Sequence, residues 1–280
     1  MMQQREPEGS RGPSWDVPAA PRDLPKTWLV VPCYNEGSRL NGPAFLDFLG
    51  KHPAVRLCFV NDGSRDNTEE VLQSLAQSTP GRVVALRLER NSGKAEAVRR
   101  GVLHVLSLEP SAYVGYWDAD LATPLHELLR FFAVAAEYPE AQMLLGCRLK
   151  RLGATVTRHW QRHLLGRVYA TLVSNILRLP VYDTQCGAKL LRSDLAAAVF
   201  AAPFLSRWCF DVELLAQVAL REGVQQASSR IIEVPLREWQ DVGGSKVRPR
   251  DMVAVALDLW RIFRRYHRAL GESLGRASKI

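Results

Sequence analysis

The chain has 280 residues, enough for one large α/β domain or two small ones, and its 47% hydrophobic content suits a full core. No run of roughly 18 apolar residues offers a membrane span, and the N-terminus lacks a secretory signal. Five scattered cysteines without a Cys-x-x-Cys pair argue against a disulfide scaffold and a zinc site and fit a reduced, cytoplasmic setting, while the net charge of +8 favours anionic partners.

Residues 1–24 are rich in Pro, Gly, Arg and Glu without periodicity and read as a disordered tail. A strand over Thr27–Pro32 ends in Cys33-Tyr-Asn-Glu-Gly37, followed by a short helix over Gly42–Leu49. A second strand, Arg56–Asn61, enters the turn Asp62-Gly-Ser-Arg-Asp-Asn-Thr68. A helix follows with Val71, Leu72 and Leu75 on its apolar stripe. The third strand, Arg82–Leu88, runs to Asn91-Ser-Gly-Lys94 and a helix with Ala97, Val98, Gly101, Val102 and Val105 on one face. The fourth, from Tyr113, stops at two carboxylates, Asp118 and Asp120. Thr123-Pro124 then reads as the start of a helix to Tyr138, with Pro124 at its first position.

Short apolar strands that each hand over to a helix define repeated βαβ units. The fold class is therefore α/β, with a Rossmann-like, mainly parallel sheet flanked by helices. Ligands of such sheets bind outside the carboxyl ends of the strands. Four polar clusters fall there: Tyr34-Asn-Glu36, Asp62-Gly-Ser64, Asn91–Lys94 and Asp118-Ala-Asp120. Each alone is ordinary turn chemistry; four in succession point to a site. Asp118 and Asp120, one residue apart on an extended chain, can face the same way. Two adjacent carboxylates suit a hard cation, Mg²⁺ or Mn²⁺, together with substrate phosphates.

The second half reads differently. Gln142–Cys147 is a strand ending at Arg148, and Arg158–Leu179 is a basic amphipathic helix, with Arg158, Arg162, Arg167 and Arg178 as its basic positions. Its apolar face either packs on the sheet or dips into an anionic membrane surface. Tyr182–Lys189 reads as a polar loop before a short helix. A helix opens around Trp208–Leu215, where Asp211 and Glu213 suit the helix dipole. A last strand, Arg230–Pro235, leads to the loop Glu238–Arg248, from which Ser245, Lys246 and Arg248 can reach phosphates. A helix from Met252 to about His267 and a frayed end over 269–280 close the chain.

The chain has no Gly-x-Gly-x-x-Gly after its first strand, no P-loop and no nucleophile elbow. Acids, a metal-binding pair and later basic residues remain, a set suited to transfer from a nucleotide-activated donor. Val30-Val-Pro-Cys-Tyr-Asn-Glu36, Val60-Asn-Asp-Gly-Ser64, Asn91-Ser-Gly-Lys94 and Asp118-Ala-Asp120 resemble the family 2 inverting glycosyltransferases of the glycosyltransferase-A fold. Asp183-Thr-Gln-Cys-Gly187, Phe210-Asp-Val-Glu-Leu-Leu215 and Gly244-Ser-Lys246 resemble its dolichyl-phosphate β-glucosyltransferase and polyprenyl-phosphate branch.

The resemblance implies roles. Pro32, Tyr34, Asn35 and Glu36 line the nucleoside pocket and Asp62 meets the base. Lys94, Asp118 and Ala119 lie near ribose and diphosphate, Asp118 and Asp120 hold the metal, and Lys246 clamps the diphosphate. Arg148 meets the acceptor or donor phosphate. Asp183 and Gln185 shape the catalytic side, and Arg158, Arg162, Glu213 and Arg248 the acceptor side. The implied organisation is a glycosyltransferase domain over 25–268, with a nucleotide-binding half (25–122) and an acceptor-binding half (123–268).

The implied reaction moves a hexose, glucose from UDP-glucose, onto a polyprenyl phosphate at the cytoplasmic membrane face. Two departures bear on this. The transmembrane anchor usual in the glucosyltransferase relatives is missing, and Ala122 stands where mannosyltransferase relatives carry a Gln, which favours glucose. A soluble acceptor, or a nucleotide-sugar or nucleic-acid binding module without turnover, are the alternatives. Nucleic acid is not an expected partner, because the basic residues are not interleaved with aromatics.

Overall fold

A computed structural model describes residues 20–150, 154–157, 160–242 and 251–277. Most of the expected N-terminal tail therefore lies outside the described residues, as do Arg158, Lys246 and Arg248. The first half is the anticipated βαβ series: β1 (Thr27–Cys33), α1 (Gly42–Lys51), β2 (Val55–Asp62), α2 (Thr68–Ser78), β3 (Val83–Leu88), α3 (Lys94–Leu108) and β4 (Tyr113–Trp117). Strands β3, β2, β1 and β4 lie side by side and parallel, so their carboxyl ends open on one edge.

Period-two alternation explains how this sheet is held. In β1, Val30 faces one layer with Val98, Val102 and Val105 of α3, while Leu29 and Val31 face the other with Phe45 and Phe48 of α1. All are buried. Burial of each such side chain contributes about 1.5–3 kcal/mol, so both faces of the sheet are tightly anchored beneath the strand ends.

Beyond β4 the chain departs from the simple series. A 3₁₀ turn (Leu125–Glu127) precedes α4 (Leu128–Glu137). The expected helix start at Thr123 is corrected: Pro124 has extended ψ and caps the 3₁₀ turn, while the Thr123 carbonyl accepts the Trp117 indole N–H at 2.6 Å. Then come β5 (Met143–Cys147), β6 (Thr155–Thr157), α5 (Trp160–Leu177), β7 (Ala188–Arg192), α6 (Ser193–Val199), α7 (Phe210–Glu222), α8 (Val224–Arg230), β8 (Ile231–Pro235), β9 (Glu238–Gln240) and α9 (Asp251–Ala277).

Strand β7 inserts antiparallel between β4 and β5, and β8 pairs parallel with β5. The result is a seven-stranded sheet in the order β3-β2-β1-β4-β7-β5-β8. The end of the polar segment read as a loop over Tyr182–Lys189 is thus the first part of a central strand. Strands β6 and β9 pair as a small separate sheet within the second half.

Two further expectations change. Helix α9 runs to Ala277 and buries Leu270, so 269–280 is not a frayed end as far as Ala277. In α5 the apolar positions split: Ala170, Val173 and Leu177 are buried, while Val168 and Leu172 are about half exposed. All five cysteines are free and buried. Among the described residues no helix is long and apolar enough to cross a membrane.

Candidate active site

The carboxyl ends of β1, β2 and β4 and the loop after β3 enclose a crevice of about 490 Å³. It is lined by Pro32 near the end of β1, Tyr34 and Glu36 after it, Asp62 at the end of β2, Asn91, Gly93 and Lys94 after β3, and Asp118, Ala119 and Asp120 after β4. Members of all four sequence clusters therefore meet at one place.

Each cluster is shaped by its own local chemistry. Both Asp62 oxygens accept backbone N–H groups of the next loop, Ser92 at 2.7 Å and Gly93 at 2.9 Å. Burial raises its pKa above the usual carboxylate range, partly offset by those two donors and by Arg207. Gly63 has φ +64°, and a Cβ there would collide with the Arg90–Asn91 backbone, so the glycine lets the β2 and β3 loops close together. Gly93 sets the start of α3, whose N-terminus and Lys94 face the crevice, the arrangement by which helix ends favour anionic groups.

At the β4 end, Lys94 Nζ lies 2.5 Å from Asp118 Oδ1. Burial opposes the Lys94 charge, but Asp118, Asp211 and Asp120 outweigh it and its pKa stands above the ordinary lysine value. Asp120 accepts the Ala122 N–H at 3.0 Å in a tight turn whose intervening Leu121 has φ +51°. Such backbone in a bulky residue is strained and gathers at functional sites. Burial first, and the Asp118 charge second, raise the Asp120 pKa.

One lysine facing two neighbouring carboxylates leaves negative charge on Asp120 unmatched. That donor set fits a divalent cation whose remaining positions are filled by diphosphate and water. Among the described residues no group of three or more His, Cys, Asp or Glu side chains forms.

Gly187 explains why Asp118 can sit where it does. The Asp118 N–H donates to the Gly187 carbonyl at 2.9 Å, and its carboxylate lies over the Gly187 Cα, where any Cβ would overlap it. The glycine of Asp183-Thr-Gln-Cys-Gly187 is therefore a seat for the β4 carboxylate.

Several sequence-predicted residues have other work. Asn35 has φ +53°, its side chain accepts the Arg65 N–H, and its own N–H donates to Ser64; it ties the β1 and β2 loops and is not among the crevice-lining residues. Arg148 is held by Asp183 in a two-pronged pair, Nε–Oδ2 2.7 Å and Nη2–Oδ1 2.8 Å, and stacks over Trp239 at 5.3 Å. Burial works against the Arg148 charge, but Asp183 more than restores it and raises its pKa. The two residues, expected to act separately on phosphate and on the catalytic side, are here partners of each other.

Glu213, expected on the acceptor side, lies in the interior. Its carboxylate is buried and accepts the Leu205 N–H at 2.7 Å and the Tyr266 hydroxyl at 3.0 Å, so it clamps the interior. Asp211, in the first turn of α7, is also buried against Lys189 at 2.5 Å and accepts the Tyr116 hydroxyl. Gln185 lies beside Asp183, its Nε2 buried without a hydrogen-bond partner. Arg162 lies in α5, its side chain outside the described residues.

The sequence missed Arg207 and Trp208. They come from the loop before α7, more than a hundred residues from the β3 loop, yet both line the crevice. Arg207 donates to the Ser92 carbonyl at 3.1 Å and to Asn91 Oδ1 at 3.0 Å. The only hint was an exposed-type Arg-Trp pair just before an apolar helix.

A mainly parallel sheet that gathers a carboxylate pair, a lysine and a helix N-terminus at one edge is the architecture of a nucleotide-sugar-handling transferase. The comparisons specify it. Residues 28–200 match the model for Glycosyl transferase family 2, and the chain belongs to that family. A dolichyl-phosphate beta-glucosyltransferase of Trichomonas vaginalis is 32% identical over 248 residues, covering 84% of this chain and 70% of its own. The mannosyl-3-phosphoglycerate synthase of Rubrobacter xylanophilus shares the fold at TM-score 0.59 and 18% identity, covering 89% of this chain and 75% of its own. The glucosyl-3-phosphoglycerate synthase of Mycobacterium tuberculosis, solved with Mn²⁺, UDP and glucosyl-3-phosphoglycerate, shares it at TM-score 0.54 and 18% identity, covering 90% and 80%.

Proposed function

We propose that this glycosyltransferase moves glucose, with inversion, from UDP-glucose to a polyprenyl phosphate at an anionic, cytoplasm-facing membrane surface, using Mg²⁺ or Mn²⁺. The observation that carries the reading is the convergence of four strand-end clusters on one crevice, with Asp120 beside Asp118–Lys94. The name of the Trichomonas relative supports sugar and acceptor, and the fold neighbour solved with Mn²⁺ and UDP supports donor and metal.

Tyr34, Glu36 and Asp62 offer a nucleoside an aromatic wall and hydrogen-bond acceptors. Lys94 and the N-terminus of α3 face the diphosphate from one side. Asp118 and Asp120 face it from the other and would hold the cation, which when bound offsets the charge developing on the leaving diphosphate. Lys94, held charged by its carboxylate neighbours, adds to that stabilisation throughout the pH range of the cell.

The acceptor phosphate is already anionic, so the chain must position its oxygen more than remove a proton from it. Gln185, with its unpartnered Nε2, is the side chain we assign to sugar or acceptor recognition. Arg148 and Asp183 then act as a locked pair that fixes the wall next to Gln185.

Purified chain given radiolabelled UDP-glucose and polyprenyl phosphate should yield a β-linked lipid product in Mg²⁺ or Mn²⁺, and none in excess chelator. A soluble phosphorylated acceptor used in preference to the lipid would overturn the acceptor assignment, and full turnover in chelator the metal.

A further inference from the structure

Helix α9 has two unlike faces. Leu259, Ile262, Tyr266 and Leu270 recur at three- and four-residue spacing and are buried against the second-half core. On the remaining surface, Leu257 and Trp260 are 52% and 53% exposed and Phe263 is 39% exposed. Arg261, Arg264 and Arg268, also exposed, lie beside them, Arg261 paired with Asp258 at 3.2 Å and Arg268 with Glu272 at 3.1 Å in solvent-facing ion pairs. The Arg264 guanidinium sits over the Trp260 ring at 4.8 Å, so cation and aromatic are presented together.

A face meant only for water has no use for three large apolar side chains within two turns. An apolar strip flanked by arginines instead matches a helix lying in the boundary layer of an anionic bilayer, with apolar groups among acyl chains and guanidiniums at headgroup phosphates. The chain's net charge of +8 adds to the attraction.

The helix is also wired to the crevice. Ser206 Oγ donates to Asp258 Oδ2 at 2.6 Å, next to Leu257, and the Tyr266 hydroxyl donates to Glu213 at 3.0 Å. Ser206 lies between the exposed Leu205 and the crevice-lining Arg207 and Trp208. A surface seated through α9 thus holds the loop at the crevice mouth.

We infer that the outer face of α9 is the membrane-docking surface of this protein, and that its occupant is an anionic phospholipid bilayer. For α5 the sequence had left packing on the sheet and membrane contact as alternatives. The inference rests on the polyprenyl-phosphate reading only for its purpose, since vesicle binding is measurable without any acceptor.

The test is co-sedimentation of the full chain with phosphatidylcholine vesicles, with and without phosphatidylserine, at low salt. Wild type should bind the anionic vesicles. Replacing Arg261, Arg264 and Arg268 by Gln should lower the partition coefficient about fivefold for each arginine. Leu257→Ala with Trp260→Ala should lower it at least about tenfold. Turnover of a short, water-soluble isoprenyl phosphate should be unchanged in both variants, which shows that they fold.

Equal vesicle binding by wild type and variants would overturn the inference. So would the absence of vesicle binding combined with a self-association, seen by sedimentation, that Trp260→Ala abolishes: the face would then join two copies of this chain. Vesicle binding as expected, with no transfer to any polyprenyl phosphate, would leave the surface standing and remove the acceptor reading. Transfer without vesicle binding would do the reverse.

Discussion

The two halves of the sheet use the same residue types to opposite ends. At the ends of β1 to β4, the polar residues come from four contiguous motifs and face a crevice, and Asp120 has one backbone donor and shares a single lysine with Asp118. Around β5, β7 and α7, the charged residues come from distant segments and are satisfied by partners in the interior: Arg148 with Asp183 and Lys189 with Asp211 as ion pairs, and Glu213 through a hydrogen bond from the Tyr266 hydroxyl. Charge that is incompletely matched is available to a ligand, whereas charge that is paired and buried fixes a wall. The donor side is thus a set of strand ends waiting for a partner, and the other side is a frame.

The sharpest way to break this comparison is at Asp120. Asp120→Asn keeps the size and the acceptor oxygen for the Ala122 N–H but removes the charge. Transfer should fall on the order of 10³-fold, with a thermal unfolding midpoint in the absence of ligand that is no lower than wild type, since burial and the Asp118 charge disfavour the ionised carboxyl. A midpoint that drops together with the rate would place Asp120 in the frame. Arg148→Met should show the opposite balance. It strands the buried Asp183 carboxylate, so stability should fall by about 3 kcal/mol or more, read from urea unfolding. Retained stability would mean that Arg148 is a free phosphate ligand, as the sequence had suggested.

Gly187→Ala tests how the frame seats the site. The new Cβ must displace the Asp118 carboxylate from its place over the Gly187 Cα, and with it the ion pair to Lys94. Transfer should drop about tenfold to a hundredfold, the cost of a misplacement near 1 Å. Fluorescence titration of UDP-glucose should show weaker binding. Unchanged kinetics would mean that Asp118 is not held by this contact.

The donor side was legible because period-two strands and turn chemistry are local. Leu29, Val30 and Val31 predict a two-faced buried strand, and Asp62, Lys94 and Asp120 then fall at strand ends by counting alone. The frame was not legible for the same reason. Nothing near Lys189 in the chain announces Asp211, and a glycine-containing polar run does not look like the start of central strand β7, whose pairing with β4 depends on tertiary context. Asp211 and Glu213 mimic helix-dipole residues because position in a first turn is a local fact, whereas burial against Lys189 and Tyr266 is not. Arg207 and Trp208 reach the crevice only through the packing of the loop before α7 on the β3 loop.

The smallest effect, and the most diagnostic of a paired interior, belongs to Tyr266. Burial first, and the Glu213 charge second, push its phenol up to about 12. Its ordinary value is about 10. The folded protein therefore holds this proton more tightly than the unfolded chain. The stability it lends is complete below about pH 10 and is lost as pH rises through the folded value. Tyr266→Phe should cost about 1 kcal/mol at pH 7 for the lost hydrogen bond and flatten the decline of stability above pH 10, measured as urea midpoints at neutral and alkaline pH. It also leaves Glu213 with the Leu205 and Ser206 backbone and the Gln217 side chain as hydrogen-bond donors. Burial already raises that carboxyl, and losing the phenol raises it further, so the deficit of the variant should shrink as pH falls toward the carboxylate range. If the variant keeps the wild-type alkaline slope, the Glu213–Tyr266 contact is not closed in solution, and α9 is joined to the crevice loop through Ser206 and Asp258 without it.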